Sequence, residues 1–116
     1  MKKTEIIKKN YEFKYFFKKG KYTPGKLLEL FIFPSKFNRN KIGIIVSKKV
    51  GGSVIRNKIK RYIREAYKEL EEKIKINSNM LIIWKKSVSY EKANFFDVKK
   101  DLKEMLINAG VLNNDN

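Results

Sequence analysis

The sequence predicts an α+β fold: helices packed on a small mixed sheet, in the chain order αββ(β)αβα. Three observations carry this. Apolar runs of strand length stand at 27–33, 42–47 and 80–84, while apolar stripes of helical period stand at 55–74 and 95–109. The chain has 116 residues, 42% of them hydrophobic and 13% aromatic. That length supports one core. No internal repeat or low-complexity segment divides it, so one domain over 1–116 is expected, with 1–9 and 110–116 as flexible ends.

In order, Asn10 precedes a helix over 11–19, with Gly20 as its stop. Phe13, Phe16 and Phe17 form its apolar face, and Tyr11 and Tyr15 fall opposite. A further short strand fits 21–24. In LLELFIF, 27–33, Leu28, Leu30 and Ile32 alternate with Leu27, Glu29, Phe31 and Phe33. IGIIVS, 42–47, places Ile42, Ile44 and Val46 on one face, and the two strands are expected to pair as a hairpin. MLIIW, 80–84, is almost wholly apolar and so expected to be buried or central. Asn94 and Asp97 cap a last helix, 95–109, with the stripe Phe95, Val98, Leu102, Met105, Leu106 and Ala109, ended by Gly110. The tail NNDN is expected to fray.

Charge is distributed unevenly. Residues 1–64 hold 19 Lys or Arg against Glu5, Glu12 and Glu29, whereas residues 65–116 hold nine of each sign, so the whole net charge of +16 lies in the first part. A one-sided positive field of this size implies a polyanionic partner, nucleic acid above an anionic membrane. The chain has 24 Lys and four Arg, and Arg56, Arg61 and Arg64 fall within nine residues. Clustered guanidinium groups suit bidentate phosphate contacts.

The helix beginning near Ser53 shows what that cluster is for. At 100° per residue, Ile55, Ile59, Tyr62, Ile63, Ala66, Tyr67, Leu70 and Ile74 form the core stripe. Asn57, Lys60, Arg61, Arg64 and Lys68 form the opposite face, with Arg56 in the first turn and Lys58 on the far flank. Cations in a first turn oppose the helix dipole. Here Arg56, Lys58, Lys60 and Arg61 come early, while Glu69, Glu71 and Glu72 come late. Such an order suits an anion docking at the helix start, where Ser53 is a candidate cap and Gly51-Gly52 allows close approach.

SKKVGGSVIRNKIKRYIREAYKE, 47–69, resembles the signature of the protein subunit of bacterial ribonuclease P, an Arg-Asn-Arg helix after a Ser-Lys-Lys-hydrophobic-Gly turn. NYEFKYFFKKG, 10–20, resembles that family's first helix. The resemblance covers nearly the whole chain. It implies the family's fold, shared with a domain of a small-subunit ribosomal protein, including a left-handed crossover around the basic helix against the usual right-handed rule. It also implies a role in removing the 5′ leader from precursor tRNA, as accessory subunit of an endoribonuclease whose RNA does the Mg²⁺-dependent chemistry. By position, Arg56, Asn57, Lys58, Lys60, Arg61, Arg64 and Lys68 would meet the catalytic RNA. Phe13, Phe17 and Phe31 would line a leader cleft, with Lys48 and Lys49 nearby. The partners implied are the catalytic RNA, in a 1:1 complex with a monomeric protein, and precursor tRNA. Lys58 stands where the motif has its second Arg, exchanging a planar fork for a point charge. Gly52-Ser53 departs from the family's usual polar or basic residue and Ala.

The missing residues narrow the alternatives. Without His, an imidazole acid–base pair is excluded, and without Cys there is neither a disulfide nor a thiolate site. Glu65, Glu69 and Glu72 share a helix side but have Lys68 and Lys73 among them, which reads as an ion-paired surface rather than a metal cluster. No catalytic residue or bound cofactor is therefore assigned to the protein. MKKTEIIKKN lacks a signal-like apolar run and no segment reaches membrane-span length, so a cytoplasmic protein without membrane contact is expected. The alternative reading is a structural RNA-binding protein such as a small ribosomal protein. It explains the charge but leaves Phe13, Phe17 and Phe31 as core residues, as aromatics at helical spacing usually are.

Overall fold

A computed structural model of the chain describes residues 4–114. The elements are β1 (Thr4–Ile6), α1 (Asn10–Lys19), β2 (Lys21–Pro24), β3 (Leu28–Pro34), β4 (Asn40–Ile45), α2 (Ser53–Leu70), β5 (Ser78–Trp84) and α3 (Phe95–Asn108). They build one five-stranded mixed sheet in the order β1-β4-β5-β3-β2. Residues 1–3 and 115–116, part of the ends expected to be flexible, lie outside the described residues. Within those ends, Thr4–Ile6 pairs with β4, and Val111 and Leu112 are buried.

The apolar MLIIW run forms the centre, because a strand with neighbours on both edges and helices on both faces must be apolar throughout. β5 pairs antiparallel with β3 and parallel with β4. The expected hairpin between β3 and β4 does not form. β5 is inserted between them, and the hairpin is instead β2–β3, with Tyr22 opposite Phe31 and Thr23 opposite Leu30. The segment 34–40 is therefore a crossing loop, and α2 is the crossover joining the parallel neighbours β4 and β5.

The alternation in each strand assigns its faces. Leu28, Leu30, Ile32, Ile42, Met80, Ile82 and Trp84 point to the layer of α2 and α3, meeting Ile59, Ile63, Tyr67, Leu70, Leu102 and Leu106 in the main core. Leu81, Ile83, Phe31 and Phe33 point the other way, to the side of the sheet that carries α1, in a second cluster with Phe16 and Ile7. The result is α1, sheet, then α2 with α3. Trp84 is fully buried and its Nε1–H donates to the Val88 carbonyl at 3.0 Å, a packing role.

Several helix ends differ in detail from the sequence reading. Asn10 lies inside α1; Lys9 is the cap, its carbonyl accepting from the N–H of Glu12 and Phe13. Gly20 has an ordinary negative φ of −71°, so it is not a left-handed stop. Its requirement is space: a Cβ there would stand 2.7 Å from the Phe16 carbonyl oxygen and 2.8 Å from Phe31 Cβ. Likewise Gly52, not Ser53, caps α2, because the Gly52 carbonyl accepts the Arg56 N–H at 2.9 Å and carries the helix one residue further back. α2 stops at Leu70. Ile74 leaves the helical stripe through a 3₁₀ turn at Glu71–Lys73 and bridges to Leu112. At α3 the Asn94 side chain accepts from the Asp97 N–H at 2.9 Å, and Gly110 at φ +82° ends the segment as expected.

Candidate nucleic-acid interface

The buried side of α2 is Ile59, Ile63, Ala66, Tyr67 and Leu70. Its outward side is therefore fixed by covalent geometry, and it carries the cations. Asn57, Lys58, Arg61, Arg64 and Lys68 are exposed, whereas Arg56 and Lys60 are half-buried. None of these cations forms a salt bridge among the described residues; Arg61 in particular does not pair with Glu65. Among the described residues, salt bridges join Arg39 to Glu5, Lys41 to Glu12 and Lys99 to Glu69. Lys58 and Arg61 instead flank the Tyr62 ring, each 5.9 Å from its centroid. Arg56 has its Nε buried with no hydrogen-bond partner among the described residues. The first turn of α2 has no acidic residue and no side-chain cap, so its free N–H groups add to the positive field.

The second surface lies on the other side of the sheet. Three rows of the sheet face α1: Lys41, Asn79 and Phe33; then Gly43, Leu81, Phe31 and Tyr22; then Ile45, Ile83 and Glu29. α1 covers the first two. Phe16 sits edge-on to Phe33 with centroids 5.2 Å apart, and Phe13 stands over Gly43, where a Cβ would be 2.7 Å from its Cε1. Phe17 meets Phe31 at 5.0 Å and 66°, and Tyr22 meets the same Phe31 ring at 5.2 Å. The third row lies beside the Phe17–Phe31 pair, with Ile83 buried and Ile45 half-buried, and the exposed ring surface along this edge of α1 is termed the trough.

The predicted cleft residues are thus brought together unequally. Phe17 is 43% exposed and Phe31 half-buried, so both can offer ring surface. Phe13 is half-buried among Ile7, Gly43 and Leu81, and packs more than it presents. Lys48 and Lys49 are exposed on the turn that follows β4, three and four residues past Ile45. One residue belongs with this group that sequence reasoning missed. Tyr22, 48% exposed, extends the aromatic wall, and its hydroxyl donates to Glu29 Oε2 at 2.6 Å. That hydrogen bond to the carboxylate, more than any burial, raises the Tyr22 phenol above its ordinary value. The signal was available: if 21–24 is a strand paired with 28–34, Tyr22 falls beside Phe31.

Asp101 is buried, and its carboxylate accepts the N–H groups of Lys26, Leu27 and Leu28 at 2.7, 2.9 and 2.9 Å. It fixes the β2–β3 turn from α3 and is structural. Among the described residues no group of three or more His, Cys, Asp or Glu side chains could hold a metal ion, and no helix is long and apolar enough to cross a membrane.

These two surfaces are found on a chain with clear relatives. The family model described as Ribonuclease P matches residues 1–110. The ribonuclease P protein component of Clostridium botulinum is 38% identical over 112 residues, covering 96% of this chain and 99% of that protein. That of Listeria welshimeri is 38% identical over 107 residues, covering 91% and 88%. The RNase P protein of Staphylococcus aureus superposes with a TM-score of 0.81 at 31% identity, over 93% of this chain and 97% of that one. That of Thermotoga maritima gives 0.80 at 25% identity, over 90% and 96%. The order of strands and helices, the basic α2 and the extent of these matches agree: the chain belongs to the ribonuclease P protein family.

Proposed function

We propose that this protein is the accessory subunit of a ribonuclease P ribonucleoprotein in the cytoplasm, assisting removal of the 5′ leader from precursor tRNA. The observation that carries the proposal is the division of labour between layers. The outward row of α2 is cationic and unpaired, and it suits the phosphates of a structured RNA, here the catalytic RNA. The trough beside α1 offers Phe17, Phe31 and Tyr22 with lysines close by, the combination that takes single-stranded RNA with little sequence choice. Phe13, packed over Gly43 and against Ile7 and Leu81, adds its half-buried ring beside that trough.

In this reading one protein binds one catalytic RNA, Arg61, Arg64, Asn57, Lys60 and Lys68 form the docking face, and Arg56 and Lys58 flank it. Lys48 and Lys49 neutralise phosphates of the emerging leader. Magnesium belongs to the RNA, and the protein supplies positive charge that lowers the amount required. It contributes no acid, base or nucleophile.

Reconstitution tests the proposal. The protein is mixed with a bacterial ribonuclease P RNA and a precursor tRNA at low Mg²⁺, and leader release is followed. Restored cleavage where the RNA alone is inactive supports the subunit role. Binding to the RNA without any promotion of cleavage reduces the protein to a structural RNA-binding role.

A further inference from the structure

The flank of α1 turned away from Phe17 carries a second aromatic groove. Tyr15 is two residues from both Phe13 and Phe17, so it lies about 160° around the helix from each. It belongs instead to a groove of about 600 Å³ bounded by α1, the end of β3 and the 34–37 turn. Phe33 is the floor, with Tyr15 edge-on at 5.7 Å and 83°. Tyr11 and Phe37, each 66% exposed, stand on its two sides.

Phe37 is not a loose loop tip. Its N–H donates to Ser35 Oγ at 3.1 Å, the Ser35 hydroxyl donates back to the Phe37 carbonyl at 3.2 Å, and the Ser35 N–H is held by the Asn77 carbonyl at 2.9 Å. An exposed ring is thus carried on a pinned turn. The charge around it is one-sided. Lys19 and Lys36 line the groove with no ion pair among the described residues, and Lys9 Nζ lies 5.8 Å from the Tyr11 ring centroid. The single carboxylate, Glu12, is already paired with Lys41 at 3.7 Å. A hydrophobic protein partner would bury these lysines uncompensated, whereas a nucleic-acid strand meets both features at once.

We propose that this groove is a second station for single-stranded RNA, separate from the trough at Phe17 and Phe31. Bases stack on Tyr11, Tyr15 and Phe37, and phosphates lie along Lys19 and Lys36. The protein then holds single-stranded RNA on both flanks of α1, with Phe16 and Phe33 packed between the two.

The test is photo-cross-linking of the full chain to an iodouridine-substituted oligouridine of roughly eight nucleotides, within the site sizes of sequence-tolerant single-strand binders. It is run at about 0.15 M salt, where surface charges more than about 8 Å apart are largely screened. Adducts at Tyr11, Tyr15 or Phe37 are expected. The double variant Tyr11→Ala/Phe37→Ala removes two exposed rings and should keep its far-ultraviolet circular dichroism. Its oligonucleotide affinity should fall at least about five-fold, the lower end for losing a stacked base. Tyr11→Phe/Phe37→Tyr should restore it. The proposal is overturned if adducts map only to the Phe17 trough or to α2, or if the folded double variant binds as tightly as the parent. A concentration-dependent dimer in sedimentation that the double variant abolishes, with RNA affinity unchanged, would also overturn it, by assigning the groove to a second copy. The leader trough is read separately by Phe17 variants, so the two ideas fail independently.

Discussion

Phe17 is the residue at which packing and recognition can be separated. It is 43% exposed, so slightly more than half of it is covered, mainly by the edge contact with Phe31 at 5.0 Å. An aromatic side chain buries 150–250 Å² when fully covered. Half of that is roughly 100 Å², or about 2.5 kcal/mol at about 25 cal/mol/Å². Residual compaction of the unfolded chain lowers this figure, and the aromatic pair adds about 0.5–1.5 kcal/mol. Phe17→Ala is therefore expected to destabilise by about 2–3 kcal/mol, within a reserve of about 5–15 kcal/mol. Phe17→Leu keeps most of the covered area and should lose less than about 1.5 kcal/mol. Both remove the ring on which a leader base would stack, worth about 1–3 kcal/mol. The assay compares, in the assembled ribonucleoprotein, the affinities for precursor tRNA with and without a leader, alongside the Tm of the free protein. Both variants should compress the with-leader to without-leader ratio by about five-fold or more, with Tm lowered clearly only for the alanine. A Phe17→Leu protein with native Tm and an unchanged ratio would refute the stacking argument and leave Phe17 as packing alone.

Other outcomes follow from the same geometry. Arg61→Ala and Arg64→Ala remove exposed, unpaired guanidinium groups, so each should leave Tm unchanged while lowering the salt slope of catalytic-RNA binding by about one ion; filter binding at several salt concentrations reads this. Asp101→Ala strands three backbone N–H groups and should cost about 3–5 kcal/mol, seen as a lower urea midpoint, with Asp101→Asn intermediate. Burial raises the Tyr67 phenol from 10.0 to about 12, opposed by its hydrogen bond with Thr4 and reinforced by the nearby Glu71 carboxylate. The unfolded phenol ionises first as pH rises. This contribution is therefore intact below pH 10.0 and lost between 10.0 and about 12, and Tyr67→Phe should flatten that part of the stability–pH curve.

The helices were legible because their stripes are long. In α3, Val98, Leu102, Met105 and Leu106 recur at helical spacing and all are buried. The faces of β3 and β5 were legible for the same reason, with period two in place of 3.6. Pairing was not. β3 and β4 are neighbours in sequence, but nothing in either strand encodes that β5, more than 30 residues on, lies between them. A parallel pairing across α2 depends on the packing of that helix, which only the whole chain determines. β1 escaped because Thr4–Ile6 is three residues long inside a cation-rich segment, too short for a period to show. Asp101 escaped because a carboxylate in a helix usually faces water, and its three partners are more than 70 residues away. The outward side of α2 was legible for Asn57, Arg61, Arg64 and Lys68, since five buried side chains fix its rotation, whereas Lys60 is half-buried and Lys58, read as flanking, is exposed. The Phe17 wall was legible only in part, because Tyr22 joins it through a strand of four residues.

Placing the two proposed RNA surfaces on opposite faces of the sheet has an electrostatic consequence. Helix and sheet layers pack about 10 Å apart, so α1 and α2 are separated by roughly 20 Å, and the shortest dimension of the Cα trace is 24 Å. At physiological salt the Debye length is about 8 Å. Cations on α2 are therefore screened from an RNA strand beside α1, and the charge of each face acts on its own partner. On the proposed function, the net charge of +16 would not work as one field reaching both RNAs. Under the proposed function, what would couple catalytic RNA and leader is the rigid body between the two faces, which would convert two separate encounters into one of high effective concentration. This distinguishes the tether from a shared field. If the faces are independent, Arg64→Ala and Phe17→Leu should add, within about 0.3–0.5 kcal/mol, in the free energy of precursor binding by the assembled complex. If the positive charge acts as one reservoir, losing a cation on α2 should change what Phe17 is worth, and the double variant will depart from additivity most strongly at low salt.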